Sequence, residues 1–485
     1  MRLSGFPLGF FLCLLLALRR SAQDSESTTG RAFTPEDWYR LTRVSSPAIS
    51  PDGSRVAFTV TTVDEDDNRL HSEVWMVDTD GGEPVRLTSP GTESSRPRWS
   101  EDGVYLFFSS QRDGGQGRTW VLRMDGTRMG EAFQMEEERR GSEPEDGSFV
   151  VWTQGGEDDE EEEEGEGEGA EQEAQEDPYR RMQPMARPPM GSLTRPVNPG
   201  RFDGRHIVDY PYKRNGAGFT PNRREPRSYT ATQIWKQMEG DTTEIQLTDE
   251  VYSHRSATVS PDGRWIAFTA DPEFRPDSVI RAERDSISML PYDAARDEAP
   301  RNDSDIFILP ADGGEPRRLT SQDGSERGLV WSHDSREIYF SSSLTRMSSR
   351  RLWSVPVNGG EPENLLGDWQ YEPGGVDLMP DGTLAMSASI GGRTALFHLD
   401  PDSGEMEEVI AGRRRISGFS YDEDFSRVAF VATSVHEPTE LFVADIDGTD
   451  ERRITGFNDE LNEEIAWPHA DRFTYESVGG LEIER

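Results

Sequence analysis

Short apolar runs alternate with polar turn sequences along this chain, and one such pair recurs over most of its length. The first copy is the turn Ser-Pro-Asp-Gly at residues 50–53, followed by Val-Ala-Phe at residues 56–58. Proline fixes φ at the second turn position, aspartate can bond to its own backbone, and glycine accepts a positive φ. The apolar run suits a pleated, buried strand. The pattern therefore predicts a tight turn followed directly by a strand.

A second signature follows each copy of the first. It begins as Val-Trp-Met-Val at residues 74–77, continues through Asp-Gly-Gly-Glu-Pro, and ends in Val-Arg-Leu-Thr at residues 85–88. Its later copies are centred on Trp120, Trp235, Phe307, Trp353, Phe397 and Phe442. Seven paired copies of about 40–50 residues, each with four short strands, are typical of propeller blades. The predicted fold is all-β, a seven-bladed β-propeller of four-stranded antiparallel blades.

The spacing within the repeats locates the insertions. Gly147 and Trp235 are 88 positions apart in blade 3, and Gly263 and Phe307 are 44 apart in blade 4, against 17 for Gly103 and Trp120 in blade 2. The excess falls between the second and third strands of a blade. In a four-stranded meander these loops open on the same face as the connections between blades and the two chain ends. We therefore expect the function to lie on that face.

These repeats divide the chain into predicted segments. Residues 1–23 read as a signal peptide, with an apolar run too short for a comfortable membrane span. Residues 24–45 form an N-terminal arm with a short helix over residues 33–41, capped by Thr34. The propeller covers residues 46–460, including an insertion at 154–204 that we expect to be disordered. Residues 461–485 follow the last repeat as a strand-like segment.

Charge restricts the class of partner. The 52 basic and 92 acidic residues give a formal net charge of −40, which disfavours nucleic acid and anionic membranes as partners. Residues 157–177 contain 14 acidic residues and no basic one. Because like charges at this density repel, we expect a solvated tether. Binding of calcium or of a basic peptide by this run stays open as an alternative.

Few residues of the sequence are candidates for catalysis or metal binding. No Gly-x-Ser-x-Gly sequence occurs, and the seven histidines are scattered singly, without a His-Glu-x-x-His pair. The single cysteine, Cys13, lies in the predicted leader. The sequence therefore predicts no catalytic residue, no metal site and no cofactor. The leader predicts export to the periplasm or the medium, with no other membrane span. Arg19 and Arg20 leave an uncleaved N-terminal anchor open.

Three segments, in this order, resemble the prolyl oligopeptidase family of serine peptidases. They are residues 33–39 leading into the turn at 50–53, the run Tyr-Lys-Arg-Asn-Gly-Ala-Gly-Phe at 212–219, and residues 472–484. The resemblance is to the propeller portion of the acylaminoacyl-peptidase and dipeptidyl-peptidase-like branch. The turn motifs alone are shared with TolB-like propellers.

The resemblance implies a function for the chain. In this family the propeller caps an α/β-hydrolase domain that carries the catalytic serine, aspartate and histidine, and residues 461–485 would be the junction toward that missing domain. We therefore expect a truncated, non-catalytic cap that gates peptide substrates of an exported serine peptidase. Tyr210, Tyr212 and Arg214 are the candidate substrate-facing residues.

A standalone TolB-like propeller is the alternative. It would act as a scaffold that binds a protein or peptide partner in the cell envelope. Residues 473–484 favour the peptidase interpretation, because an unpaired strand is an aggregation liability unless a following domain covers it.

Overall fold

The computed structural model describes residues 30–65, 68–112, 117–125, 132–134, 141–155, 231–280, 283, 303–344, 348–468, 473–480 and 482–484. The predicted signal peptide, the acidic run 157–177 and the three candidate residues Tyr210, Tyr212 and Arg214 lie outside the described residues. The predictions made for them therefore stay predictions.

The described strands form eight antiparallel sheets, of which the first seven in chain order correspond to the seven predicted blades and the last is a two-stranded hairpin. Blade 1 contains β1 (Arg43–Ile49), β2 (Arg55–Asp64), β3 (Arg69–Asp78) and β4 (Val85–Arg86), and blade 2 contains β5 (Ser94–Trp99), β6 (Tyr105–Ser110) and β7 (Arg118–Arg123). Blade 3 contains β8 (Phe149–Gly155), β9 (Thr232–Met238) and β10 (Glu244–Gln246), and blade 4 contains β11 (Arg255–Val259), β12 (Trp265–Ala270), β13 (Asp305–Pro310) and β14 (Arg317–Arg318). Blade 5 contains β15 (Arg327–Trp331), β16 (Glu337–Ser342), β17 (Arg351–Pro356) and β18 (Glu363–Asn364). Blade 6 contains β19 (Pro373–Leu378), β20 (Leu384–Ile390), β21 (Arg393–Leu399) and β22 (Met406–Ile410). Blade 7 contains β23 (Arg415–Tyr421), β24 (Arg427–Thr433), β25 (Glu440–Asp445) and β26 (Arg452–Arg453).

Blades 2 and 3 depart from the predicted four strands. Each forms a three-stranded sheet among the described residues, and a single bridge stands for the remaining strand: the outer strand in blade 2, where Phe133 pairs with Val121, and the first strand in blade 3, where Ser142 pairs with Val151. In blade 3, Pro144 follows the bridge closely and has no backbone N–H to donate, so the ladder cannot extend past it. Among the described residues, these two blades therefore show three strands and a bridge, whereas the other five show the predicted four strands.

The core lies between the blades. The second strands carry a phenylalanine or methionine near their centre except in blade 3, where Trp152 holds that place, and Phe58, Phe108, Phe268, Phe340 and Phe430 are all fully or almost fully buried. Six clusters of buried apolar residues each combine two adjacent blades, namely 1–2, 3–4, 4–5, 5–6, 6–7 and 7–1. Burying one such side chain stabilises the fold by about 1.5–3 kcal/mol. The apolar faces of the central strands therefore hold the blades against each other.

The first strand of each blade lies nearest the axis. β1 contacts β5 and β23, β11 contacts β15, and β15 contacts β19, so the first strands of adjacent blades converge. We call β1, β5, β11, β15, β19 and β23 the axial strands. Each contains a register shift against its second strand. At five of these bulges one residue has a φ between 49° and 67°, namely Ser46, Arg96, Ser256, Gly328 and Gly418. A bulge of this kind bends the strand and increases its twist.

Blades 1 and 7 meet without sharing a strand, because both sheets are built from consecutive strands. Their contact is made by a shared apolar cluster that includes Phe58 and Leu441. Arg427 adds hydrogen bonds from Nη1 to the carbonyl oxygen of Gly53 (3.2 Å) and to Thr79 Oγ1 (3.0 Å). Side-chain packing therefore joins the two ends of the blade series.

The segments at the two ends of the propeller touch each other. Helix α1 (Asp37–Arg40) is shorter than predicted, and Thr34 does not cap it; Thr34 instead donates from its backbone N–H and its hydroxyl to Asp37 Oδ2. After β26 comes helix α2 (Asp459–Glu464). Arg31 pairs through its backbone with Ile465. The N-terminal arm therefore lies against the chain that leaves blade 7.

The strand-like segment at the end of the chain is not unpaired. β27 (Thr474–Glu476) pairs with β28 (Glu482–Glu484) across a tight turn that contains Gly479 and Gly480, both with positive φ. The expectation of an isolated strand is therefore wrong, because the segment satisfies its backbone groups within its own hairpin. Val478 at the hairpin tip is 98% exposed.

Candidate functional site

One face of the propeller carries the strand ends between which the two predicted insertions lie, together with two cavities. Arg43 at the start of β1 pairs with Thr61 near the end of β2, and Arg415 pairs with Thr433 in blade 7 in the same way. The starts of the axial strands therefore lie on the same face as the loops between second and third strands. Both predicted insertions belong to such loops. We call this side the insertion face.

The first cavity lies on the insertion face of blade 6 and has a volume of about 460 Å³. Its lining combines polar and apolar groups, and Glu372 Oε1 accepts a hydrogen bond from the backbone N–H of Arg350 (3.2 Å). Tyr371 is 40% exposed and stands edge-on to Trp369, with ring centroids 5.5 Å apart. The lining residues are Gln370, Tyr371, Glu372, Pro373, Gly374, Ser387, Ala388, Ser389 and Thr394. We call this the blade 6 cavity.

The second cavity lies on the insertion face of blade 1, between the end of β2 and the start of β3, with a volume of about 580 Å³. His71 lines it and is held by two carboxylates, Glu93 at 3.1 Å from Nδ1 and Glu73 at 3.2 Å from Nε2. Burial lowers the pKa of His71, but the hydrogen bonds to Glu93 and Glu73 outweigh this effect and raise the pKa above its ordinary value. Because Glu93 precedes β5, this contact also ties blade 1 to blade 2.

The axial strands carry a concentration of arginine. Arg255 forms an ion pair with Asp277 (2.9 Å), the Arg98 guanidinium lies 4.4 Å from the centre of the Phe107 ring, and Arg43 lies 5.9 Å from that of Trp38. The six arginines of these strands are Arg43, Arg96, Arg98, Arg255, Arg327 and Arg415. The sequence interpretation did not single out this set, which becomes visible only when the strands nearest the axis are known.

Two buried carboxyl groups lie at the base of the blade 4 insertion. Glu326 is 2% exposed and accepts a hydrogen bond from Thr320 Oγ1, and Asp305 is fully buried beside Arg318. Burial raises the pKa of Glu326 to about 8 and that of Asp305 to about 6. In blade 7 the equivalent threonine, Thr455, donates to Glu440 Oε2 (2.6 Å). The Leu-Thr or Ile-Thr endings of the repeats therefore act as hydrogen-bonding anchors.

Metal and membrane features are not found in the part of the chain that the structure describes. No group of three or more His, Cys, Asp or Glu side chains there is arranged to hold a metal ion. Among the same residues, no helix has both the length and the apolar character needed to cross a bilayer. The predictions for Tyr210, Tyr212 and Arg214 cannot be compared with either cavity, because these residues lie outside the described part.

Comparison with known proteins supports the resemblance stated from the sequence. No family model matches the chain. The uncharacterized peptidase YuxL of Bacillus subtilis (strain 168) is 25% identical over 241 residues, which are 50% of this chain and 31% of that protein. Dipeptidyl-peptidase 5 of Porphyromonas gingivalis is 33% identical over 88 residues, 18% of this chain and 13% of that protein. These relatives are peptidases. The similarity to the dipeptidyl-peptidase-like branch is thus confirmed.

Solved structures agree on the fold. An acylaminoacyl peptidase of Pyrococcus horikoshii superposes with a TM-score of 0.54 at 17% identity, over 94% of this chain and 58% of that one. An acylaminoacyl peptidase in complex with Z-Gly-Gly-Phe-chloromethyl ketone gives a TM-score of 0.53 at 17% identity, over 94% and 59%. The chain therefore spans less than three fifths of these structures and about a third of YuxL. It has the fold of the propeller domain of peptidase-like proteins.

Proposed function

We propose that this chain is the propeller that caps the active site of an exported serine peptidase and gates its access to peptide substrates. The observation that carries the proposal is the match of 94% of the chain to 58–59% of two acylaminoacyl peptidases, together with a curated relative that is a peptidase. The propeller itself contributes no catalytic serine in this proposal, because the sequence contains no Gly-x-Ser-x-Gly turn.

The geometry of the insertion face supports a capping role. Both cavities open there, the loops that carry the two insertions start there, and the N-terminal arm meets α2 beside β1. A second domain that covers this face would enclose the cavities between the two domains, which is a common location for ligand sites. Export follows from the predicted leader and belongs to the same proposal.

The test is to read the coding DNA beyond the codon for Arg485 in all three frames. We expect one frame to continue into a Gly-x-Ser-x-Gly turn followed by an aspartate and a histidine. A clean stop followed by unrelated sequence would overturn the peptidase proposal and favour a propeller scaffold with a protein or peptide partner. That scaffold would then be identified by cross-linking its partner to the insertion face.

The non-catalytic role has its own test. The pure, folded chain should not hydrolyse small peptide p-nitroanilides, whereas a longer product that includes a hydrolase domain should. Hydrolysis by the chain alone that a serine-directed inhibitor abolishes would show that the propeller carries its own nucleophile, against the proposal.

A further inference from the structure

The charge of the axial strands is opposite to the charge of the protein. The chain as a whole has 52 basic and 92 acidic residues. The six axial strands contain six arginines and a single acidic residue, Asp377. In blade 3, where the axial position is the single bridge at Ser142, Glu143 follows it. The innermost part of a strongly acidic protein is therefore cationic.

Arg43 is half-buried and the other five arginines are exposed; of those five, Arg98 lies over the Phe107 ring and Arg255 pairs with Asp277. An axial strand is covered by its second strand along one edge and by adjacent blades on both faces, so its exposed side chains reach solvent along the axis or at the insertion face. Arg96, Arg327 and Arg415 are exposed and form no ion pair with a described residue. By contrast, Arg264 and Arg336, in the turns on the opposite face, pair with Asp262 and Asp334. Unpaired cations in a low-dielectric concavity focus a positive potential that attracts anions.

Two of these three arginines begin the axial strands of the blades on either side of blade 6, which holds the blade 6 cavity. The cavity is built around the start of β19, and the axial strands of the adjacent blades, β15 and β23, begin with Arg327 and Arg415. β15 contacts β19, and β21 of the same blade contacts β23. The cavity therefore lies between the strands that carry these two guanidinium groups.

The lining of the cavity can complete an anion site. Ser387, Ser389 and Thr394 supply hydroxyl donors, and Gln370 supplies an amide. Glu372 is the one carboxylate among the lining residues, and its Oε1 is already engaged by the Arg350 backbone N–H. A volume of about 460 Å³ exceeds what a single small ion fills and suits part of a peptide.

We propose that the blade 6 cavity, with Arg327 and Arg415 on either side, binds the carboxylates of an acidic peptide. Guanidinium groups pair with carboxylates through two parallel hydrogen bonds, which gives both strength and orientation. The inference builds on the proposed function, because it names acidic peptides as the substrates that the gate admits. Binding itself requires no hydrolysis and can be measured on the propeller alone.

The experiment measures fluorescence anisotropy of a labelled decapeptide of alternating glutamate and glycine with the pure chain. We expect the glutamate peptide to bind at least tenfold more tightly than its glutamine counterpart, and the binding to weaken as salt rises. Arg327→Gln combined with Arg415→Gln should weaken binding about tenfold. The matched control, Arg264→Gln with Arg336→Gln, removes the same charge from the opposite face and should leave binding unchanged. A second glutamate peptide with a C-terminal amide lacks the terminal carboxylate, so its affinity shows whether the protein recognises that group or the side-chain carboxylates.

Other results would overturn the proposal. The site is refuted if the glutamate and glutamine peptides bind with equal affinity. It is also refuted if the control variant loses as much affinity for the glutamate peptide as the Arg327 and Arg415 variant does. The chain's own carboxylates at residues 157–177 could compete, so the measurement is repeated with that run replaced by a Gly-Ser sequence of equal length. Absence of glutamate-specific binding in both forms refutes the site. The peptidase proposal would be untouched by that result, because the coding DNA decides it.

Discussion

At the scale of single residues, Gly448 shows how one blade constrains the next. It occupies the hairpin turn between β25 and β26 with φ +80°, and a Cβ atom there would fall on the carbonyl oxygen of Val409 in β22 of the adjacent blade. Gly81 holds the equivalent position in blade 1, with φ +90° and no atom within 4 Å of its would-be Cβ. The two glycines therefore share a left-handed backbone conformation and differ in packing.

Gly81→Ala should cost about 1–2 kcal/mol, which is the penalty of a left-handed conformation for a residue with a Cβ. Gly448→Ala should cost that amount plus the displacement of β22, for a total of roughly 3 kcal/mol or more. Urea unfolding of both variants measures the difference. If the two variants lose the same stability, the close approach to Val409 is not a constraint on the fold.

Glu326 gives a residue-scale prediction for pH. Because burial raises its pKa from an ordinary value near 4.5 to about 8, the folded protein holds this proton more tightly than the unfolded chain. The free energy of unfolding should therefore fall as pH rises through that window. Glu326→Gln keeps an acceptor for Thr320 and removes the titratable group. The free energy of unfolding of the variant should therefore rise relative to that of the wild type, by a few kcal/mol, as the pH approaches 8.

Thermal unfolding between pH 5 and pH 8 checks this prediction. His71, whose pKa is raised, is present in both proteins, so its contribution cancels in their difference. The exposed Glu361→Gln serves as the control and should follow the wild type throughout. A Glu326→Gln curve parallel to the wild type would show that Glu326 is not the titrating group.

At the scale of elements, a group of ion pairs holds the N-terminal arm against helix α2. Arg31 pairs with Asp37 and with Glu464 Oε2 (3.1 Å), and Arg40 Nη1 lies 2.7 Å from the same carboxylate oxygen. The Arg31 guanidinium holds the pKa of Asp37 far below its usual range, and Arg40 and Arg31 lower that of Glu464 to about 2. The Phe33 ring adds a contact with Trp467 at 5.5 Å.

Asp37→Asn should release this arm without unfolding the blades. Hydrogen exchange of residues 31–40 should become faster, while exchange in the central strands stays as in the wild type, because no interblade core residue is changed. Asp459→Asn is the matched control, since Asp459 pairs with Arg453 and not with the arm. If exchange in residues 31–40 is unchanged, the ion pairs of Asp37 do not hold the arm, and its aromatic contacts stabilise it instead.

The elements that the sequence predicted are those specified by local signals. The turn at residues 260–263 and the apolar run after it become β12, Trp265–Ala270, because proline, aspartate and glycine act within four residues. The axial bulges were not predicted, since Ser46 and Ser256 carry no local signal for a positive φ. The cationic axial set was missed for a related reason. It unites residues of different blades, and only the converging strands bring them to one place.

At the scale of the whole molecule, the propeller closes without a shared strand, and the backbone contact between blades 1 and 7 is a hydrogen bond from the Glu423 N–H to the carbonyl oxygen of Pro51 (3.1 Å). Blades 1 and 7 share no strand, so backbone ladders do not cross their boundary. Arg427 donates to Gly53 and Thr79 of blade 1, and Arg452 Nε donates to the carbonyl oxygen of Thr79 (3.1 Å). Both arginines come from blade 7. Their hydrogen bonds add to the shared apolar cluster and to the hydrogen bond from the Ile49 N–H to Ser420 Oγ (3.0 Å) in opposing separation of the two blades.

Replacing both arginines by methionine should therefore weaken this boundary more than any other. Hydrogen bonds from a charged group contribute about 1.5–3 kcal/mol each, so we expect Arg427→Met with Arg452→Met to lower the free energy of unfolding by about 2–5 kcal/mol. Arg123→Met is the control, because Arg123 is 61% exposed and pairs with Asp125 of its own blade. Hydrogen exchange locates the effect. Faster exchange confined to β1 and β24 shows opening between blades 1 and 7, whereas a uniform increase over all blades would mean that the boundary does not open separately from the rest of the ring.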